Sequence, residues 1–114
     1  MGAEPCYAAN VATILLAGVD PFFGGKLSEL LSRHRLVTTE SIDEPDLVIV
    51  DISRVDPVEI TESFPVTPVL GYASHSDPAG ERACLMAGFD RVVDRSALIE
   101  AAETLVSELT APVE

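Results

Sequence analysis

Asp20, Asp51, His75 and Arg95 each follow closely on a short apolar run: "ILLAG", "DLVIV", "PVLGYA" and "RVV". α/β proteins place their ligands beyond the carboxyl ends of buried strands. Two carboxylates there suit a hard cation or acid–base work. An arginine suits an anion such as a phosphoryl group. A lone histidine in a loop such as "GYASHSD" is ordinarily a solvated side chain, so His75 adds less than the other three.

Other chemistries fail on spacing. "GVDPFFGG" is neither a dinucleotide-binding fingerprint nor a P-loop. Its aspartate would also repel a flavin phosphate. "DISRVD" lacks the D-x-D of aspartyl phosphatases, and the chain has no G-x-S-x-G elbow. Cys6 and Cys84 lie outside any C-x-x-C and away from histidines at ligand spacing. Cys84, in "RACLMAGF", is expected to be a small buried apolar group, and Cys6 to lie in a tail.

The chain has 114 residues, enough for one domain with a core that needs no disulfide or metal. Its net charge of −12 repels phosphate backbones and anionic membranes. Neither nucleic-acid binding nor direct membrane insertion is expected, while basic protein surfaces remain candidate partners. No apolar run reaches transmembrane length, and "MGAEPCYAAN" lacks the features of a signal peptide. A cytoplasmic protein is expected.

The elements that must position these residues alternate along the chain. Residues 1–10 read as a flexible lead-in, 11–110 as the domain and 111–114 as a tail. Strands are expected at "VATILLAG", "RLVTT", "DLVIVDI", "TPVLGYA" and "DRVVD", separated by helical patterns, which argues for a parallel sheet. Phe23, Leu27, Leu30, Leu31 and His34 form one helical stripe, with His34 closing the helix where a cation suits the dipole. Asp56-Pro57 and Asp77-Pro78 read as helix starts, an aspartate cap followed by proline at the first helical position. The second of these helices is expected to turn Ala79, Ala83, Met86 and Ala87 inward and to end at Gly88. Ser96 should cap the last helix, with Leu98, Ala101, Ala102, Leu105 and Leu109 as its inner stripe. Only "ESIDEP" links the second and third strands, too little for the usual crossover helix. An extended loop or a single turn is expected instead, leaving one sheet face thinly covered. Phe22 and Phe23 are adjacent and not easily buried together, so they are candidates for a docking surface. The alternative is that both pack over the thinly covered loop region.

Five such units resemble the flavodoxin-like doubly wound fold, strand order 2-1-3-4-5. Over residues 12 to 109 the chain further resembles the receiver domain of two-component response regulators. "ILLAGVDP" is similar to that family's I-L-V-V-D-D-D-P, and "PDLVIVDIS" to its third strand. "PVLGYASHSDPAGERACLMAGFDRVV" is similar to its fourth strand together with the helix and strand after it. The resemblance puts the phospho-accepting aspartate at Asp51 and the two metal-binding acids at Gly18 and Val19. It puts the phosphoryl-holding hydroxyl at Ala73 and the lysine at Arg95, with Ser96 where a proline usually follows. Receivers move a phosphoryl group with a magnesium ion as charge clamp. Gly18 and Val19 cannot bind a hard cation, and Asp20 holds the third position of the triplet. Ala73 has no hydroxyl, and Ser74 beside it is expected to point to the other face. Arg95 keeps the charge with another geometry. "RVVD" has no aromatic for the family's signalling readout.

The resemblance therefore implies a degenerate pseudo-receiver. That is a phosphorylation-independent protein-interaction module, not an enzyme, without metal or cofactor. It would be stand-alone or an accessory subunit, with its protein partner unidentified. Two alternatives stay open. One is an unconventional phosphorelay receiver phosphorylated on Asp51 with help from Asp20 and Arg95. The other is a small-ligand sensor or enzyme using Asp20, Asp51, His75 and Arg95 in a strand-end pocket.

Overall fold

Runs rich in leucine and β-branched residues favour extended backbone, and five of them form strands. These are β1 (Thr13–Ala17), β2 (Arg35–Val37), β3 (Leu47–Asp51), β4 (Val69–Ala73) and β5 (Arg91–Asp94). The helices are α1 (Pro21–Leu30), α2 (Pro57–Ser63), α3 (Pro78–Ala87) and α4 (Arg95–Thr110). The computed structural model describes residues 12–38, 45–73 and 77–110. All strand pairs are parallel, in the order β2-β1-β3-β4-β5, as the flavodoxin-like reading requires.

The central strands β1, β3 and β4 are apolar on both faces because both faces are covered. Alternation along each strand sends neighbours to opposite sides. Ile14, Leu16, Ile49, Leu70 and Tyr72 face one core with Phe23 and Leu27 of α1 and Leu98 and Leu105 of α4. Leu15, Val48 and Val50 face the other, with Ile60 of α2, Cys84 of α3 and Phe89. Among the described residues no helix is long and apolar enough to cross a membrane.

One local device starts three of the helices. Asp20 Oδ1 accepts the Phe23 N–H, Asp56 Oδ1 that of Val58, and Asp77 Oδ1 that of Gly80, each with proline next in sequence. The carboxylate satisfies a donor that has no intrahelical partner, and proline's fixed φ suits the first helical turn. Gly88 ends α3 in the left-handed conformation, at φ 119°.

Three expectations are corrected. His34 lies beyond α1, and its Nδ1 accepts the Ala12 N–H at 3.0 Å, with Nε2 3.5 Å from Glu103 of α4. The ring thus ties the residue before β1 to α4 and does not close α1. Ser96 lies within the first turn of α4 and does not cap it, because the helix already starts at Arg95. The inward face of α3 is Cys84, flanked by half-buried Gly80 and Ala87, while Ala79, Ala83 and Met86 are exposed. Alanine gains little by burial, so an alanine pattern does not set a helix's rotation. In α4, Leu98, Ala102 and Leu105 are buried as expected and Val106 joins them. The helix departs from helical geometry at Ala101 (φ −129°, ψ 29°).

β2 is a short edge, with Arg35 exposed and Leu36 and Val37 half-buried. The expectation for "ESIDEP" falls on residues 40–45, of which 40–44 lie outside the described residues. So do Cys6, Ser74, His75, the lead-in 1–10 and the tail 111–114.

Cys84 is 2 % exposed, and burial pushes its thiol up, with Asp77 and Glu81 adding to the effect. Thiol chemistry needs the thiolate. In a Cys6→Ser variant, Ellman's reagent at neutral pH should leave Cys84 unmodified until denaturant is added. Prompt reaction of the native protein would contradict this packing.

Candidate functional site

The carboxyl edge of the sheet starts from a backbone constraint. β1 ends at Ala17, and Gly18 turns the chain at φ 69°. A Cβ at this position would stand 2.8 Å from Val55 Cγ1. Positive φ and that close approach both call for glycine. An aspartate in the place of Gly18 would be strained, whatever chemistry it offered. Val19 follows, half-buried against the core that α1 and α4 share. The turn delivers Asp20 to the start of α1, where its carboxylate accepts the Phe23 N–H at 2.9 Å.

Asp51 ends β3 and is 4 % exposed. A buried carboxylate needs partners. Ser53 supplies two, its N–H at 3.0 Å and its hydroxyl at 2.7 Å, both donating to Oδ1. The guanidinium of Arg54 lies 3.7 Å from Oδ2. Arg54 is 59 % exposed, so this pair is screened and contributes little on its own. The nearby cation is thus Arg54 from the loop after β3, and not Arg95.

Arg95 engages an aromatic ring instead. Its guanidinium carbon sits 4.4 Å from the centre of the Phe23 ring. Phe23 in turn packs against Tyr72 of β4, ring centres 4.7 Å apart and tilted by 51°. Phe23 is 1 % exposed, whereas Phe22 is 91 % exposed. Successive helical residues point about 100° apart, so one of two adjacent rings faces the core and the other cannot. Phe23 is therefore excluded as a docking residue, and only Phe22 remains.

The Tyr72 hydroxyl is buried and has no hydrogen-bond partner among the described residues. Burial first, then the charges of Asp51 and Asp20, raise its pKa above the ordinary tyrosine value, and Arg95 and Arg54 partly oppose them. The charges of Asp51, Asp20 and Arg95 thus act on this hydroxyl without bonding to it. Ala73, one residue on, is buried beside Asp94 of β5 and offers only a methyl group.

The residues here do not fit a magnesium ion of the receiver type. The side chains of Gly18 and Val19 carry no oxygen, Asp20 caps a helix, and one oxygen of Asp51 already accepts two hydrogen bonds. Among the described residues no group of three or more His, Cys, Asp or Glu side chains could hold a metal. Sequence reasoning missed Ser53, Arg54 and the Tyr72 hydroxyl as members of this site. The "DIS" of "DISR" was the available signal for the first, since a serine two residues after an aspartate often closes such a turn.

The sequence matches no family model and no curated protein. Solved structures do match. A response regulator from Thermotoga maritima superposes with a TM-score of 0.75 at 14 % identity, covering 90 % of this chain and 99 % of that one. The BeF3-activated DrrB receiver domain gives 0.75 at 21 % identity, with the same 90 % and 99 % coverage. HP1043, an orphan response regulator of H. pylori, gives 0.67 at 18 % identity, covering 86 % and 95 %. The chain has the receiver-domain fold of response regulators. At these identities the likeness is one of fold.

Three substitutions test this arrangement. Tyr72→Phe removes a buried hydroxyl that satisfies nothing, and should leave stability unchanged or raise it by up to about 1 kcal/mol in denaturant unfolding. Wild type should also lose stability above pH 10, because the unfolded chain then releases this proton while the folded protein holds it. Tyr72→Phe should flatten that decline; a large destabilisation would show that the hydroxyl has a partner. Phe23→Ala should cost about 3–5 kcal/mol through the cavity it leaves. Phe22→Ser should barely move the melting temperature.

Proposed function

We propose that this chain is a receiver-fold module that acts by binding another protein and does not depend on phosphorylation of Asp51. The observation that carries this reading is the state of Asp51. Its carboxylate is buried and satisfied from within, by Ser53 and Arg54. The neighbouring positions Gly18, Val19 and Ala73 bring neither metal ligands nor a hydroxyl. A phosphoryl group arriving there would have to displace the Ser53 hydrogen bonds with no cation clamp to offset its charge. Phe22 supports the interaction half of the reading, as an exposed aromatic ring at the same edge. The small-ligand alternative asks for a cavity at this edge; among the described residues, which do not include His75, a cavity of about 710 Å³ opens at the opposite one. On this reading the module works without catalysis and without a cofactor.

The test is direct. The protein is incubated with magnesium and acetyl phosphate, and its intact mass is followed, with beryllofluoride binding monitored in parallel by fluorine NMR. No acyl phosphate and no bound fluoride signal are expected. A stable adduct that Asp51→Asn abolishes would establish the phosphorelay alternative instead.

A further inference from the structure

The cavity of about 710 Å³ lies at the amino edge of the sheet, far from Asp51. It opens between the loop after α2, the start of β4, the end of α3 and the last turn of α4. Phe64, Val66, Pro68 and Leu109 give it an apolar lining. Val66 is 91 % exposed, and Met86, one residue before the lining residue Ala87, is 82 % exposed. Apolar side chains left in water around a concavity mark a contact surface.

The rim is acidic. Glu62, Asp90 and Glu108 all line the cavity. Arg91 pairs with Glu108 at 2.9 Å, and Asp90 Oδ2 accepts the Val69 N–H. Glu62 makes no ion pair among the described residues. The helix ends add the same sign. The closing segments of α2, α3 and α4 reach the cavity, and none has a basic residue in its last turn. The partial negative charge of their terminal carbonyls is thus left without a complementary cation.

We propose that this groove docks a segment of a partner protein that presents lysine or arginine side chains beside large apolar ones. The apolar floor takes the partner's leucine- or phenylalanine-sized groups. Glu62, the rim and the helix ends take its cations. A second copy of this chain is disfavoured because two molecules of charge −12 repel. Nucleic acid and anionic membranes are repelled for the same reason. The inference rests on the interaction-module reading above, and adds where the partner binds and by what chemistry.

The experiment titrates the isotope-labelled full chain with a synthetic peptide of alternating lysine and leucine, and separately with its glutamate–leucine counterpart. Amide chemical shifts locate the contact. The lysine–leucine peptide should move the amides of residues 61–69 and 87–90, and the acidic peptide should move none. Glu62→Lys and Val66→Ser both change exposed side chains, so the fold is expected to persist. Each should weaken the basic peptide's affinity about tenfold. The proposal is overturned by no binding, by shifts scattered over other acidic faces, or by variants that bind as well as wild type. Dimerisation through the groove without peptide would overturn it too. An acyl phosphate on Asp51 would instead sink the earlier reading, whatever the peptide does.

Discussion

The ring of Phe23 is the contact on which the carboxyl edge depends. It packs against Tyr72 of β4 and carries the guanidinium of Arg95 from α4. Its own backbone N–H is the donor that Asp20 caps. One residue of α1 thus joins the first helix, the fourth strand and the last helix. Burying this ring turns Phe22 outward and holds Arg95 on its face, and the Tyr72 hydroxyl beside it has no partner among the described residues.

Asp51 shows how a buried carboxylate can persist at a strand end without a metal. An ionised group removed from water needs hydrogen bonds and countercharge nearby. Ser53 supplies the first and Arg54 the second, both within three residues of Asp51 itself. Gly18 has a matching structural reason. Its positive φ and the approach of Val55 leave no room for a side chain. Gly18 and Asp51 thus each have a structural reason of their own.

The two edges of the sheet differ in what they have to offer. At the carboxyl edge, charges are matched by neighbours: Asp20 by a helix start, Asp51 by serine and arginine, Arg95 by an aromatic face. At the amino edge, a concave apolar surface meets carboxylates and helix carbonyls with Arg91 as the paired cation.

Much of this was legible in the chain. The strands, their parallel character and the helix starts at Asp56 and Asp77 follow from apolar periodicity and from capping chemistry that acts within three residues, and the strand order from the resemblance to the flavodoxin-like fold. The alignment of "ILLAGVDP" and "PDLVIVDIS" also placed Gly18, Val19, Asp20 and Asp51 at one edge. Four things were decided only by the tertiary structure: which of Phe22 and Phe23 faces inward, which arginine serves Asp51, how α3 is rotated, and that His34 accepts from Ala12. Each depends on what an element packs against. Capping and periodicity are local and leave their mark in sequence, whereas the phase of a helix and the choice between two arginines are settled by residues distant in the chain.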